Sequence, residues 1–207
     1  METEEQQVEQ LKAFWKEHGK GIVAGLVIGF GLFYGWRYYD AQTLAKQEAQ
    51  SQQYEQIVAQ LETDGSEAMN QAEQFVSEAS GSTYATLAAF ELAHQATEAG
   101  NLSAAIDSLQ SARESAEGVL KHVANLRLAR LQLAQENYPA ALSALEQIAQ
   151  VEGFEAKAAE LRGDVLMAQG DAQGARQAYQ DAIAAATEAG VPTVLVETKL
   201  NSIPAAS

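Results

Sequence analysis

The chain has 207 residues, 47% of them hydrophobic, a formal net charge of −15 and no cysteine. The absence of cysteine excludes a disulfide framework, thiol chemistry and the lipid-bearing cysteine of a bacterial lipoprotein. The acidity argues against nucleic acid as a partner, because phosphates require a basic patch, and favours solubility.

The chain opens with a mostly polar segment, residues 1–20. In it Val8, Leu11 and Trp15 recur at helical spacing with Phe14 beside them, while Lys12 and Lys16 form an i,i+4 pair on another side. A short amphipathic helix is expected, lying in the lipid interface or docked on a partner. An apolar run, Gly21 to Trp36, follows. Tyr38 and Tyr39 extend it to residues 21–39 and Lys20 and Arg37 snorkel at its ends, so it meets the roughly 17 to 25 residues that a hydrocarbon core of about 30 Å requires. A cleaved signal peptide is the competing reading. It fits poorly: Glu2, Glu4, Glu5, Glu9 and Glu17 precede the run, and its exit, Trp36-Arg37-Tyr38-Tyr39-Asp40, looks like an interfacial belt rather than a small-x-small cleavage site. A single transmembrane helix surrounded by lipid is therefore expected at 21–39. Lys12, Lys16 and Lys20 ahead of it, against Arg37 and Lys46 behind, bias the N-terminus inward and the remainder outward. Gly21, Gly25 and Gly29 fall four apart, with Gly31 and Gly35 on another face. Such stripes admit a second helix, although glycine is also common in membrane helices generally. Gly29, Gly31 and Gly35 lack the strand-turn-helix setting of a nucleotide-binding loop.

Residues 40–80 read as a helical linker and a degenerate half repeat. Asp40 to Glu62 has no proline or glycine and is rich in strong helix formers, so the membrane helix is expected to continue outward; Asp64 to Glu78, with Ala68, Ala72 and Phe75, supplies the half repeat. Residues 81–190 repeat internally. Ala134 to Leu142 aligns with Ala168 to Arg176 at an offset of 34 residues, the tetratricopeptide period. Small residues for helix crossings recur at Ala129 and Gly163 and at Ala141 and Ala175. Large partners recur at Leu145 and Tyr179, with Ile148 matched to Ala182. An earlier copy fits at offset 36, pairing Ala93 with Ala129, Ala105 with Ala141 and Leu109 with Leu145. Each unit reads helix, turn, helix, with turns at Gly100-Asn101, Glu136-Asn137-Tyr138-Pro139 and Gly170-Asp171, where glycine or asparagine supplies the left-handed conformation that ends a helix. Arg162 stands where the repeat pattern usually has a large apolar residue. Residues 191–207 are expected to cap the stack, since one repeat cannot bury its own apolar face. The fold class is all-α, a single N-terminal transmembrane helix followed by a tetratricopeptide-like α-solenoid.

Taken together, Glu9 to Lys20, Gly35-Trp-Arg-Tyr-Tyr39, Asn125-Leu-Arg-Leu-Ala-Arg130, Leu161-Arg-Gly-Asp164 and Gly170 to Arg176 give the chain a specific likeness over nearly its whole length. It resembles the YfgM family, ancillary subunits of the Sec translocon in Gram-negative bacteria. The resemblance implies an inner-membrane protein with its repeats in the periplasm, associated with SecYEG and the membrane-anchored chaperone PpiD. It also implies a task, passing secreted or outer-membrane client proteins from translocon to periplasmic chaperones. A role of the cytoplasmic N-terminal segment in stress-response regulation is implied as an alternative. Apart from the resemblance, a tethered repeat domain also fits a periplasmic assembly scaffold unrelated to translocation.

Repeat stacks present an extended concave surface made from the first helix of each unit. Counting from the small crossing residues, His94, Arg130 and Asp164 are expected to face it, with Leu126, Leu133, Glu160 and Met167 nearby. This mixed set suits transient binding of an extended chain. The competing reading places Leu126 and Leu133 in the core and leaves Arg130 and Asp164 solvated or paired with neighbours. Catalysis finds less support. His18, His94 and His122 lie on different segments without metal-ligand spacing, no nucleophile elbow or Walker loop occurs, and carboxylates such as Asp107 and Glu114 scatter over solvated helix faces. A non-enzymatic protein with neither cofactor nor metal is expected.

Overall fold

A computed structural model describes residues 4–61 and 65–204. Glu2, Glu62 and Asp64 lie outside the described residues, as do the Leu11 side chain and the last three residues of the expected cap. Among the described residues the chain forms nine α-helices and no strand. It divides into two compact units, residues 1–51 and 52–207.

The first unit is carried by α1 (Glu4–Leu61), whose 58 residues run without interruption. The expected short amphipathic helix is therefore not a separate element. No proline breaks the chain between the polar segment and the apolar run, and Gly19 is covered by the Trp15 indole and stays helical. Through the apolar run the large side chains are uncovered: Val27, Phe30, Leu32, Phe33 and Trp36 are all more than half exposed. Among the described residues, α1 is the helix long and apolar enough to cross a membrane.

The second unit contains the last turns of α1 followed by α2 (Gly65–Glu78), α3 (Thr83–Glu98), α4 (Leu102–Ser115), α5 (Gly118–Ala134), α6 (Tyr138–Glu146), α7 (Glu155–Ala168), α8 (Ala172–Glu188) and α9 (Val194–Ser202). Helices α3 with α4, α5 with α6 and α7 with α8 are the three helical hairpins, and alanine lets their axes come close. Ala105, Ala129, Ala141 and Ala175 are fully buried, Ala93 nearly so, with Leu109, Leu145, Ile148 and Tyr179 packed around them. Ile57 and Leu61 of α1 and Ala68, Ala72 and Phe75 of α2 join the main core around Leu109 and Leu145, while Ala175 and Tyr179 belong to a second cluster. At Gly163 even a methyl group has no room, because an added Cβ would stand 2.4 Å from the Tyr179 ring.

The turns inside the hairpins share one geometry. Gly100, Glu136 and Gly170 adopt φ of 74°, 58° and 84°. In each, the next amide donates back five residues, from Asn101 to the Ala96 carbonyl at 2.8 Å, Asn137 to Gln132 at 2.8 Å and Asp171 to Leu166 at 2.9 Å. In the middle turn the left-handed residue is thus Glu136 and not Asn137, whose φ is −85°. Asn137 is displaced one place along because it starts α6, where Pro139 follows in the first turn. In the flanking turns Asn101 and Asp171 hold the corresponding place and accept from the amides of Ala104 (3.2 Å) and Gly174 (2.8 Å). Helix α6 is also short, ending at Glu146, so that Ile148 is buried from a turn rather than from a helix.

Candidate protein-binding groove

Helices α3 and α5 stand side by side as first helices of consecutive hairpins, and the end of α1 lies against the same surface. Between them is an open groove of about 500 Å³, lined by Tyr54, Leu87, Phe90, His94, Arg127 and Arg130 among others. The Arg127 guanidinium carbon sits 4.6 Å from the centroid of the Phe90 ring, a cation–π contact that holds one charge against an apolar floor. His94 Nε2 lies 3.6 Å from Glu98 one turn on, at an exposed edge. Tyr54 packs its ring 6.0 Å from that of Tyr84, and burial, reinforced by the charge of Glu91, pushes its hydroxyl pKa up. The Tyr54 hydroxyl therefore remains a neutral hydrogen-bonding group. Two of the eight Lys and Arg residues in 52–207 line this groove against one of its twenty-one carboxylates, Glu91, so it is a locally basic and aromatic site on an acidic domain.

Seven side chains were expected on the concave surface, and the structure divides them. His94 and Arg130 line the groove. Leu126 and Leu133 are half-buried against the main core and do not line it, and Met167 packs against a second apolar cluster around Tyr179 and Val196. Glu160 and Asp164 are engaged by the chain itself. Lys199 Nζ of α9 donates to Glu160 Oε1 at 2.7 Å and to both Asp164 oxygens at 2.8 and 2.9 Å, Lys157 holds the other Glu160 oxygen at 2.6 Å, and the Tyr179 hydroxyl donates to Asp164 at 2.8 Å. Burial alone would push the Glu160 carboxyl up, but the hydrogen bonds and charges of Lys157 and Lys199 outweigh it and hold its pKa below the ordinary range. Burial likewise pulls the Lys199 ammonium down, and its two carboxylates outweigh that and raise it. Tyr179 is raised by burial and by the Asp164 acceptor. These two acids fasten the C-terminal helix instead of facing an open groove.

Phe90, Arg127 and Tyr54 escaped the sequence reading. The first two were legible in principle, since Phe90 lies one turn before His94 and Arg127 one turn before Arg130 on the same faces. Tyr54 was not, because the end of α1 reaches the groove only through tertiary packing.

A second crevice, of about 430 Å³, opens between α6, α7 and α8 where α6 stops short; Leu142, Leu145 and Leu166 line it, as do Arg162, Glu146, Glu155 and Asp181. The arginine that departs from the repeat pattern thus occupies a place the shortened helix leaves open. Among the described residues no group of three or more His, Asp or Glu is placed to hold a metal ion, and His18, His94 and His122 lie on α1, α3 and α5.

A tetratricopeptide repeat-like domain model matches residues 12–205. The chain is 37% identical over 180 residues to the ancillary SecYEG translocon subunit of Escherichia coli strain K12, covering 86% of each chain. Against the protein of the same name in Haemophilus influenzae the identity is 33% over 201 residues, covering 97% of each. The chain belongs to the ancillary SecYEG translocon subunit family. It is the family to which the motifs at Glu9–Lys20, Asn125–Arg130 and Leu161–Asp164 pointed. The fold of this chain also matches that of the MamA protein, with a TM-score of 0.55 at 16% identity over 79% of this chain and 81% of that one. That likeness is one of architecture alone.

Proposed function

We propose that this chain is an inner-membrane-anchored subunit of the SecYEG translocon, with its N-terminus in the cytoplasm and its repeats in the periplasm, that binds translocated proteins and passes them, with PpiD, to periplasmic chaperones. It acts by binding and carries out no chemistry of its own. The observation that carries this reading is the α3–α5 groove, where Arg127 and Phe90 are preassembled beside Arg130, His94 and Leu87 on the face a repeat stack uses for extended chains. Its names and lengths support it too, since the relatives called ancillary SecYEG translocon subunit align with this chain almost end to end.

Photocrosslinking in native membranes tests the proposal, with probes at Leu87 and Thr97 beside the groove and at Gly25 and Gly29 in α1. Translocated chains or PpiD at the groove, and translocon subunits at the glycines, are the expected products. Lipid alone at the glycines together with no protein at the groove would overturn it.

A further inference from the structure

Ahead of the apolar run α1 is differentiated into sides. Lys12, Lys16 and Lys20 are exposed and spaced four apart, so they form one stripe about 12 Å long along the helix axis. Among the described residues none of the three meets a carboxylate at ion-pair distance, although Glu9 and Glu17 are on the same helix. On another side the Phe14 and His18 rings stack at 4.8 Å.

The Trp15 indole is placed by its neighbour. It lies flat over Gly19, which it buries, and a Cβ at Gly19 would come within 3.2 Å of the ring. The indole thereby sits at the level of Gly19, about one turn before the exposed Val23 of the apolar run. Indole rings favour the boundary between hydrocarbon and headgroups, and the headgroup layer is roughly 5 to 8 Å deep on each side of the bilayer. With Trp15 at that boundary, Lys20 stands at the base of the headgroup layer, Lys16 about 6 Å further out within it, and Lys12 about 12 Å out, just beyond it. At the other end of the run Arg37 is followed by no further cation until Lys46.

We propose that Lys16 and Lys20, extended by Lys12, bind the phosphodiester groups of anionic phospholipids in the leaflet next to the N-terminus, with the Trp15–Gly19 pair setting their depth. Side chains four apart on a helix are about 5 to 6 Å from each other at Cβ, so two flexible ammonium groups converge on the oxygens of one phosphodiester. Each juxtamembrane lysine attracts an anionic surface by roughly fivefold in binding. The inference needs only that α1 cross a bilayer and is independent of what the groove binds.

The full-length chain is reconstituted into nanodiscs of phosphatidylcholine and phosphatidylglycerol, and the lipids it retains on transfer to detergent are counted by native mass spectrometry. Phosphatidylglycerol is expected to be enriched at least fivefold over its share of the bilayer. K12Q/K16Q/K20Q should lose the enrichment, while R37Q/K46Q keeps most of it. Equal retention of the two lipids, or enrichment unchanged in the triple variant with normal helicity by circular dichroism, overturns the proposal. So does loss of the enrichment to millimolar inorganic phosphate, which would assign the stripe to a soluble anion. Depth is read separately, by quenching of Trp15 fluorescence with brominated lipid in a W36F background. Gly19→Ala should displace the indole and change the quenching, and an unchanged profile would refute the role given to that pair.

Discussion

Gly163 has no side chain because Tyr179 fills the space one would take. In the preceding repeat the corresponding pair is Ala129 and Leu145, so a smaller crossing residue has been matched with a larger partner. Gly163→Ala should therefore destabilise the domain by roughly 1–3 kcal/mol, as overpacking of a closed core does, and thermal unfolding will register it as a lower Tm. Glu136 offers the opposite case. It holds a left-handed φ of 58° where the two equivalent turns have glycine, so Glu136→Gly should relieve strain and leave the domain unchanged or more stable by up to about 1 kcal/mol. A clear loss of stability in that variant would mean that the Glu136 side chain makes a contribution the backbone argument omits. Neither effect was readable from the helical pattern. A repeat alignment shows which positions are small, but not that a ring occupies the place where one of them would carry its Cβ.

Helix α9 is nine residues long, with Val194 and Leu195 more than half exposed and only Val196 of its own residues buried. Its attachment depends on Lys199 between Glu160 and Asp164, and on Arg176, which donates to the Ile203 and Pro204 carbonyls at 3.3 and 3.1 Å. Lys199→Ala leaves the nearly buried Glu160 with Lys157 alone and should loosen α9 by about 1–3 kcal/mol. Hydrogen exchange of the α9 amides is the measurement, and unchanged protection would show that apolar packing suffices. The contribution also depends on pH. Because the Glu160 pKa is lowered on folding, its stabilisation is complete above the ordinary carboxylate range, about pH 4.5, and is lost as pH falls through the lowered value. Lys199 and Tyr179 are raised, so theirs is complete below about pH 10 and fades as pH rises beyond it. Protection of α9 should thus be flat between those limits and fall on either side. Sequence reading placed a capping element here but assigned Glu160 and Asp164 to the open groove, since their partner lies 39 and 35 residues further on.

At the scale of the molecule, the proposed function asks for a location and a surface, for which the chain offers a membrane-competent helix and a three-hairpin stack. The groove supplies the test of the second. Arg127→Ala with Arg130→Ala removes both guanidiniums from an exposed site, so folding should be unaffected. Crosslinking to translocated chains should fall about tenfold, as expected when central arginines of an interface are truncated, and the remaining binding should lose its sensitivity to salt. Binding that survives unchanged in the folded double variant would move the site elsewhere, with the α6–α8 crevice the next place to probe.

The sequence by itself determined the helical class, the apolar run that suits a membrane, the 34- to 36-residue register and the family, because each rests on local periodicity or on a pattern of residue types along the chain. Helical spacing alone also put His94 and Arg130 on one surface, and both line the α3–α5 groove. Only the tertiary structure decided that Arg127 lies over Phe90, that Tyr54 closes the groove from α1, and that Lys199 takes up the two acids expected to be free. Those contacts join residues tens of positions apart, and their distances are set by how helices cross, which one-dimensional spacing does not contain.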